Sequence, residues 1–286
     1  MKIISFVFLL SILWFSCTQR TRQEEKPIIL VSILPQKTFV EKIAGEDFTV
    51  SILIPHGANP TTYTLLPTQM ADISNALAWF RMGYIGFELS FADKIIQANP
   101  SMKVVDLSEG LDLIAHGRDN SGRLTGADPH IWLSPALVKK MASEMRDQLI
   151  GISPAKTKEY EENYQKFIRE IDDTDVEIRK LLNGFEGRQF ITFHPSLSYF
   201  ARDYGLVQLS IQQGGKEPTP SHIARLVDAA ESEKIKTIYI QSDFDRENAR
   251  MFANEIKGDV VQVWPLNPEW SENLVNMAQM LRDNFQ

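Results

Sequence analysis

The chain has 286 residues, 43% hydrophobic and 23% charged. These values are close to globular averages, which excludes disordered, collagen-like and coiled-coil classes for its bulk and points to about two domains. Thirty Lys and Arg against 37 Asp and Glu leave a net charge of −7, with no basic excess for nucleic acid, and a single cysteine excludes an internal disulfide or a CxxC pair.

Residues 1–17 (MKIISFVFLLSILWFSC) carry Lys2 and then an apolar run. The run is shorter than the about 20 residues of a spanning helix and right for a secretory signal. Cys17 follows directly after Ser16. This arrangement resembles a bacterial lipoprotein signal, with Cys17 as the lipidated residue of the mature chain. The alternative is an ordinary secretory signal with a spare cysteine. Residues 18–27 are polar and charged at first and read as a tether. No later segment holds an apolar run of about 18 residues, so the folded part is expected outside the membrane.

Strands and helices then alternate. Residues 28–34 (IILVSIL) form a continuous apolar run, as in a strand buried on both faces. A helix is expected over 37–44, stopping at Gly45, then a strand over 48–54. A short helix over 68–75, a strand over 76–81, a helix over 87–98 and a strand over 103–106 follow. Residues 115–129, rich in Gly, Asp and Asn, read as a loop, and 135–150 as a helix. Residues 154–182 repeat apolar side chains at spacings of three, four and seven, with Ser153 placed to cap and Gly184 to stop a long charged helix. Strands over 189–193, 207–211, 237–241 and 260–263 then alternate with helices over 196–204, 221–231, 246–256 and 271–285. The fold class read from this order is α/β: two doubly wound lobes of four βα units each, residues 28–153 and 184–286, joined by a long rigid helix over 154–183.

The five histidines are the scarce residues. His56 and His194 each stand just past an apolar strand, where ligands bind in open α/β sheets. His130 lies between a loop and a helix start, with Pro129 stiffening its approach and Asp128 two residues before it, placed to orient the ring. A site between the lobes is the natural inference. His116, in the Gly-rich loop, and His222, at a helix start, read as surface residues.

The motifs together resemble the zinc/manganese (ZnuA/TroA-like) substrate-binding proteins of ABC importers. The resemblance rests on Val31-Ser32-Ile33-Leu34-Pro35, Phe39 to Gly45, Leu53 to Pro60 with Tyr63, Pro67 and Gln69, and Arg81-Met82-Gly83 with Gly86-Phe87-Glu88. It continues through Asp128-Pro129-His130-Ile131-Trp132-Leu133-Ser134-Pro135, His194 to Leu206, and Glu217-Pro218-Thr219-Pro220. It implies metal bound in the cleft between the two lobes. Two positions depart from the pattern. Thr61 stands where the resemblance implies the first histidine ligand, with His56 five residues earlier as its replacement. Trp264 stands where it implies an aspartate, and an indole cannot ligate a cation. His194, where manganese members carry Glu, favours zinc over manganese.

The expected metal ligands are therefore His56, His130 and His194, with Asp243 or Glu269 as a fourth. Thr61, Tyr63 and Trp264 are candidate cleft contacts. Three neutral imidazoles and water make a reasonable zinc shell. The function expected is a monomeric, lipid-anchored zinc receptor on the periplasmic side that delivers Zn2+ to an ABC permease and its ATPase. The alternatives are a divergent relative that carries a metal complex or other small solute, and a cell-adhesion protein that keeps only the scaffold. No nucleophile motif or HExxH supports an enzyme.

Overall fold

A computed structural model describes residues 26–122, 124–213, 216–241 and 246–285. The first lobe is built on β1 (Ile28–Val31), β2 (Thr49–Ile52), β3 (Ala76–Arg81) and β4 (Lys103–Asp106), in spatial order β2-β1-β3-β4 and all parallel. The second lobe carries β7 (Gln189–Thr192), β8 (Val207–Ser210), β9 (Thr237–Ile240) and β10 (Asp259–Gln262), in order β10-β9-β7-β8, again parallel. Central strands such as β9 (TIYI) are buried along their whole length, as parallel sheets covered on both faces require.

The helices of the first lobe are α1 (Leu34–Ala44), α2 (Met70–Asn75), α3 (Gly86–Ala98) and α4 (Pro135–Ile152). Those of the second are α6 (Ser198–Asp203), α7 (Pro220–Glu233), α8 (Arg246–Glu255) and α9 (Trp270–Phe285). Helix α1 starts earlier than its expected bound because Pro35 fits the first turn of a helix, where no amide donor is needed.

The connecting helix is α5 (Thr157–Leu182), 26 residues long and therefore about 39 Å from end to end. It buries Tyr160, Phe167, Ile171, Thr174, Ile178 and Leu182 along one stripe. That stripe packs against α1 and α4 of the first lobe and α9 of the second. Its start differs from the expectation. Residues Pro154–Lys156 form a separate 3-10 turn, and Ser153 contributes its carbonyl to the Lys156 amide (2.9 Å) instead of a side-chain cap.

Residues 115–129 are not a plain loop. They contain an antiparallel hairpin, β5 (Ala115–Arg118) and β6 (Leu124–Ala127). Its residues show no alternation of apolar and polar side chains, because most of the hairpin is exposed. Backbone hydrogen bonds hold it, and the same Gly-rich composition that marks a loop also suits a hairpin tip.

One hydrophobic core runs through both lobes. Phe39 of α1 meets Phe167 of α5 (centroids 5.5 Å) and stacks edge-on with Trp270 of α9 (5.6 Å). Two buried indoles bond across the junction. Trp132 Nε1 donates to the Pro265 carbonyl (2.7 Å), and Trp270 Nε1 donates to the Trp132 carbonyl (2.6 Å). Thr38 Oγ1 donates to the Pro268 carbonyl (2.9 Å), while Glu170 receives both Lys42 Nζ (2.5 Å) and Ser271 Oγ (2.6 Å). A second, smaller core lies within the second lobe alone, around Ile191, Phe193, Ile238 and Phe252.

Removing one indole removes both buried area and a bond between the lobes. Trp270→Ala is expected to lower the unfolding free energy by about 3–5 kcal/mol. Urea denaturation followed by far-UV circular dichroism measures this. An unchanged midpoint would mean the lobes do not depend on the shared core.

Candidate metal centre

His130 is positioned by a short run of local geometry. The chain leaves β6 through Asp128 and Pro129, and the 3-10 turn Ile131–Leu133 begins directly after His130. The Asp128 carboxylate accepts both the His130 backbone amide (2.9 Å) and ring Nδ1 (2.7 Å). Tyr199, from α6 of the second lobe, donates its hydroxyl proton to the Asp128 carbonyl (2.9 Å) and accepts the Ile114 amide (3.0 Å). The Ser134 hydroxyl caps α4 and reaches Asp203 of the second lobe. His130 is thus buried, in a segment tied to the second lobe through the Asp128 carbonyl and the Ser134 hydroxyl.

His194 comes from the opposite side. It follows Phe193, whose amide extends the β7–β9 pairing by donating to the Tyr239 carbonyl (2.8 Å). His194 Nδ1 donates to Oε1 of Gln212 (2.9 Å), the second residue past β8. The two imidazoles meet edge to face, with centroids 5.4 Å apart and planes at 73°. Among the described residues neither Nε2 has a hydrogen-bond partner. Each ring is therefore held through Nδ1.

The electrostatics follow from this burial. Loss of water pushes the His194 imidazole down to about 4, helped by the neighbouring His130 and opposed by Gln212 and Asp128. His194 is therefore neutral at pH 7 and open to a metal without proton competition. Burial alone would raise the Asp128 carboxyl. The charge and hydrogen bonds of His130, with the Ser198 hydroxyl, outweigh it and hold Asp128 below the usual range.

The other expected residues are distributed differently. His56 sits in an exposed turn past β2, and Thr61 is exposed with its amide on Asn59 Oδ1 (2.8 Å). Tyr63 is half-buried, its ring against Phe87 (5.7 Å) and its hydroxyl donating to Gln69 Oε1 (3.3 Å). Trp264, past β10, is 50% exposed, and its carbonyl accepts Asn273 Nδ2 (2.8 Å). Glu269 is exposed just before α9. Asp243 and Cys17 lie outside the described residues. Among the described residues no three His, Cys, Asp or Glu stand together as a ready metal-holding group.

Sequence reasoning missed Gln212 and Tyr199. Position just past a strand end was a usable signal for Gln212. Nothing local marked Tyr199. Two buried polar atoms at the same edge of the second sheet, Ser196 Oγ and Gln241 Nε2, have no hydrogen-bond partner among the described residues.

The zinc-uptake complex component A (periplasmic) model, ZnuA, matches residues 29–286. The chain belongs to the ZnuA family. A putative metal-binding protein of Chlamydia muridarum is 27% identical over 256 residues, 89% of this chain and 90% of that protein. The high-affinity zinc uptake system protein ZnuA of Bacillus subtilis is 27% identical over 81% of this chain and 76% of its own length. The solved structure of a zinc-bound ZnuA carrying a 138–173 deletion superimposes with a TM-score of 0.84 at 36% identity, covering 91% of this chain and 98% of that one. The two-lobe fold on a long helix is therefore that of the family.

The His194 environment sets a pH window. Its folded value of about 4 lies below the ordinary 6.5, so on acidification the unfolded chain takes the proton first and stability falls between pH 6.5 and 4. The loss is about 3 kcal/mol at most. The contribution of Asp128, whose ordinary value is 3.8, is lost only below that window. Fully buried Glu88, raised to about 7 by burial, acts in the opposite direction, so the comparison must be made between variants. Denaturant titrations of metal-free wild type and His194→Gln at several pH values are expected to differ in slope between pH 6.5 and 4. Parallel curves would contradict the assigned environment.

Proposed function

We propose that this chain captures zinc in the cleft between its lobes and delivers it to the permease and ATPase of an ABC importer. It works as a monomer from a lipid anchor at Cys17 on the periplasmic side. The observation that carries this reading is the pair His130 and His194. One imidazole comes from each side of the cleft, each is fixed through Nδ1, and the rings lie 5.4 Å apart. Family membership supports it, as do the zinc-uptake and zinc-bound names of the relatives.

Imidazole nitrogens are good ligands for zinc, whereas manganese favours carboxylate and water. Two imidazole ligands leave two tetrahedral positions open. His56 is the proposed third ligand. It stands in an exposed turn beside Gly57 (φ +80°), where the backbone has room to swing inward. Asp243 or Glu269 is the proposed carboxylate, with water as the substitute. Thr61, Tyr63 and Trp264 would then line the cleft. The orphaned Ser196 and Gln241 atoms at the sheet edge are consistent with a polar occupant.

Calorimetric titration of the metal-stripped full chain in detergent tests this, with zinc and manganese in separate runs. The expected result is one zinc per chain, tighter than manganese, with binding lost in His130→Ala and His194→Ala and weakened at least tenfold in His56→Ala. Unchanged zinc binding in both His130→Ala and His194→Ala would overturn the reading. Unchanged binding in His56→Ala alone would remove that residue from the ligand set.

A further inference from the structure

The two histidines are oriented by unlike partners. His130 leans on a carboxylate, Asp128, two residues away in the chain. His194 leans on a neutral amide from just past the neighbouring strand, Gln212. We infer that Gln212 is a positioning residue, whose amide oxygen accepts the Nδ1 proton of His194, fixes that tautomer and leaves Nε2 free to bind metal. This inference rests on the reading of His130 and His194 as metal ligands.

The geometry behind it begins in the sheet. Strands β7 and β8 pair in parallel, with Thr192 opposite Ser210. The pairing continues past both strand ends. The Ile211 amide donates to the Thr192 carbonyl (2.9 Å), and the Gln212 amide donates to the Phe193 carbonyl (2.9 Å). Gln212 is therefore held by its own backbone beside the residue that precedes His194.

The choice of tautomer matters because a neutral imidazole has one donor and one acceptor nitrogen. If Nδ1 carries the proton, Nε2 holds the lone pair that a metal needs. If the proton moves to Nε2, that face of the ring becomes a donor and repels a cation. An acceptor fixed at Nδ1 selects the first state before metal arrives. A neutral acceptor does so without adding charge. A carboxylate would also select it and would add a negative charge beside the metal.

The test uses the full chain in detergent, metal-free and labelled with 15N at histidine. Long-range 1H–15N correlation spectra report the protonated nitrogen of His194 directly. The expected wild-type pattern is a protonated Nδ1 and an unprotonated Nε2. Gln212→Met, close in size but without a strong acceptor, is expected to lose this pattern and to bind zinc about 10–100-fold more weakly. Gln212→Glu is expected to keep the tautomer and to restore zinc affinity to at least the wild-type level. A wild-type His194 protonated at Nε2 would overturn the inference. So would wild-type zinc affinity in Gln212→Met when His194→Ala binds weakly, and that result would leave the metal-receptor reading standing. Undiminished zinc affinity in His194→Ala would overturn both.

Discussion

The structure depends on the bonded indoles at the junction of the lobes. Trp132 reaches from the first lobe to the Pro265 carbonyl, and Trp270 reaches back to the Trp132 carbonyl. Both rings are buried in the core that α1, α5 and α9 share. Opening the lobes would expose that core and leave these buried polar groups unpaired, at about 1–3 kcal/mol for each unsatisfied group. The junction is therefore tied by both packing and hydrogen bonds. His130 lies two residues from Trp132, with its ring against the indole (centroids 5.2 Å). The histidine pair therefore lies next to the bonds that join the lobes.

Within this frame the site concentrates lone pairs and little charge. A buried imidazole, His130, meets a partly buried one, His194, and desolvation lowers the His194 value. The Asp128 carboxylate contacts His130 Nδ1 at 2.7 Å. A cation entering here exchanges water for nitrogen ligands without meeting a full set of carboxylates.

The parts of this arrangement differ in how far the sequence reveals them. The two sheets are legible because strand-like apolar segments, unbroken in β1 (IILV), alternate with helical patterns. Helix α5 is legible because its buried residues repeat at helical spacing. The Asp128–His130 contact is legible because only two positions separate the partners. The hairpin at residues 115–127 is not, because backbone pairing holds it and its exposed side chains carry no periodic signal. The His194–Gln212 contact spans 18 positions and depends on the register of β7 and β8. The Trp132–Trp270 bond spans 138 and depends on how whole lobes dock. For His56 the sequence reveals the turn but not its distance from the imidazole pair, since that distance is set by tertiary packing.

The central claim is that one metal ion bridges the lobes through both imidazoles. Anomalous scattering from crystals of the zinc-loaded protein tests it most directly. The account predicts a single zinc peak at about 2.0–2.1 Å from Nε2 of both His130 and His194. A zinc peak that touches only one lobe, or that lies against Nδ1 of either ring, would contradict it.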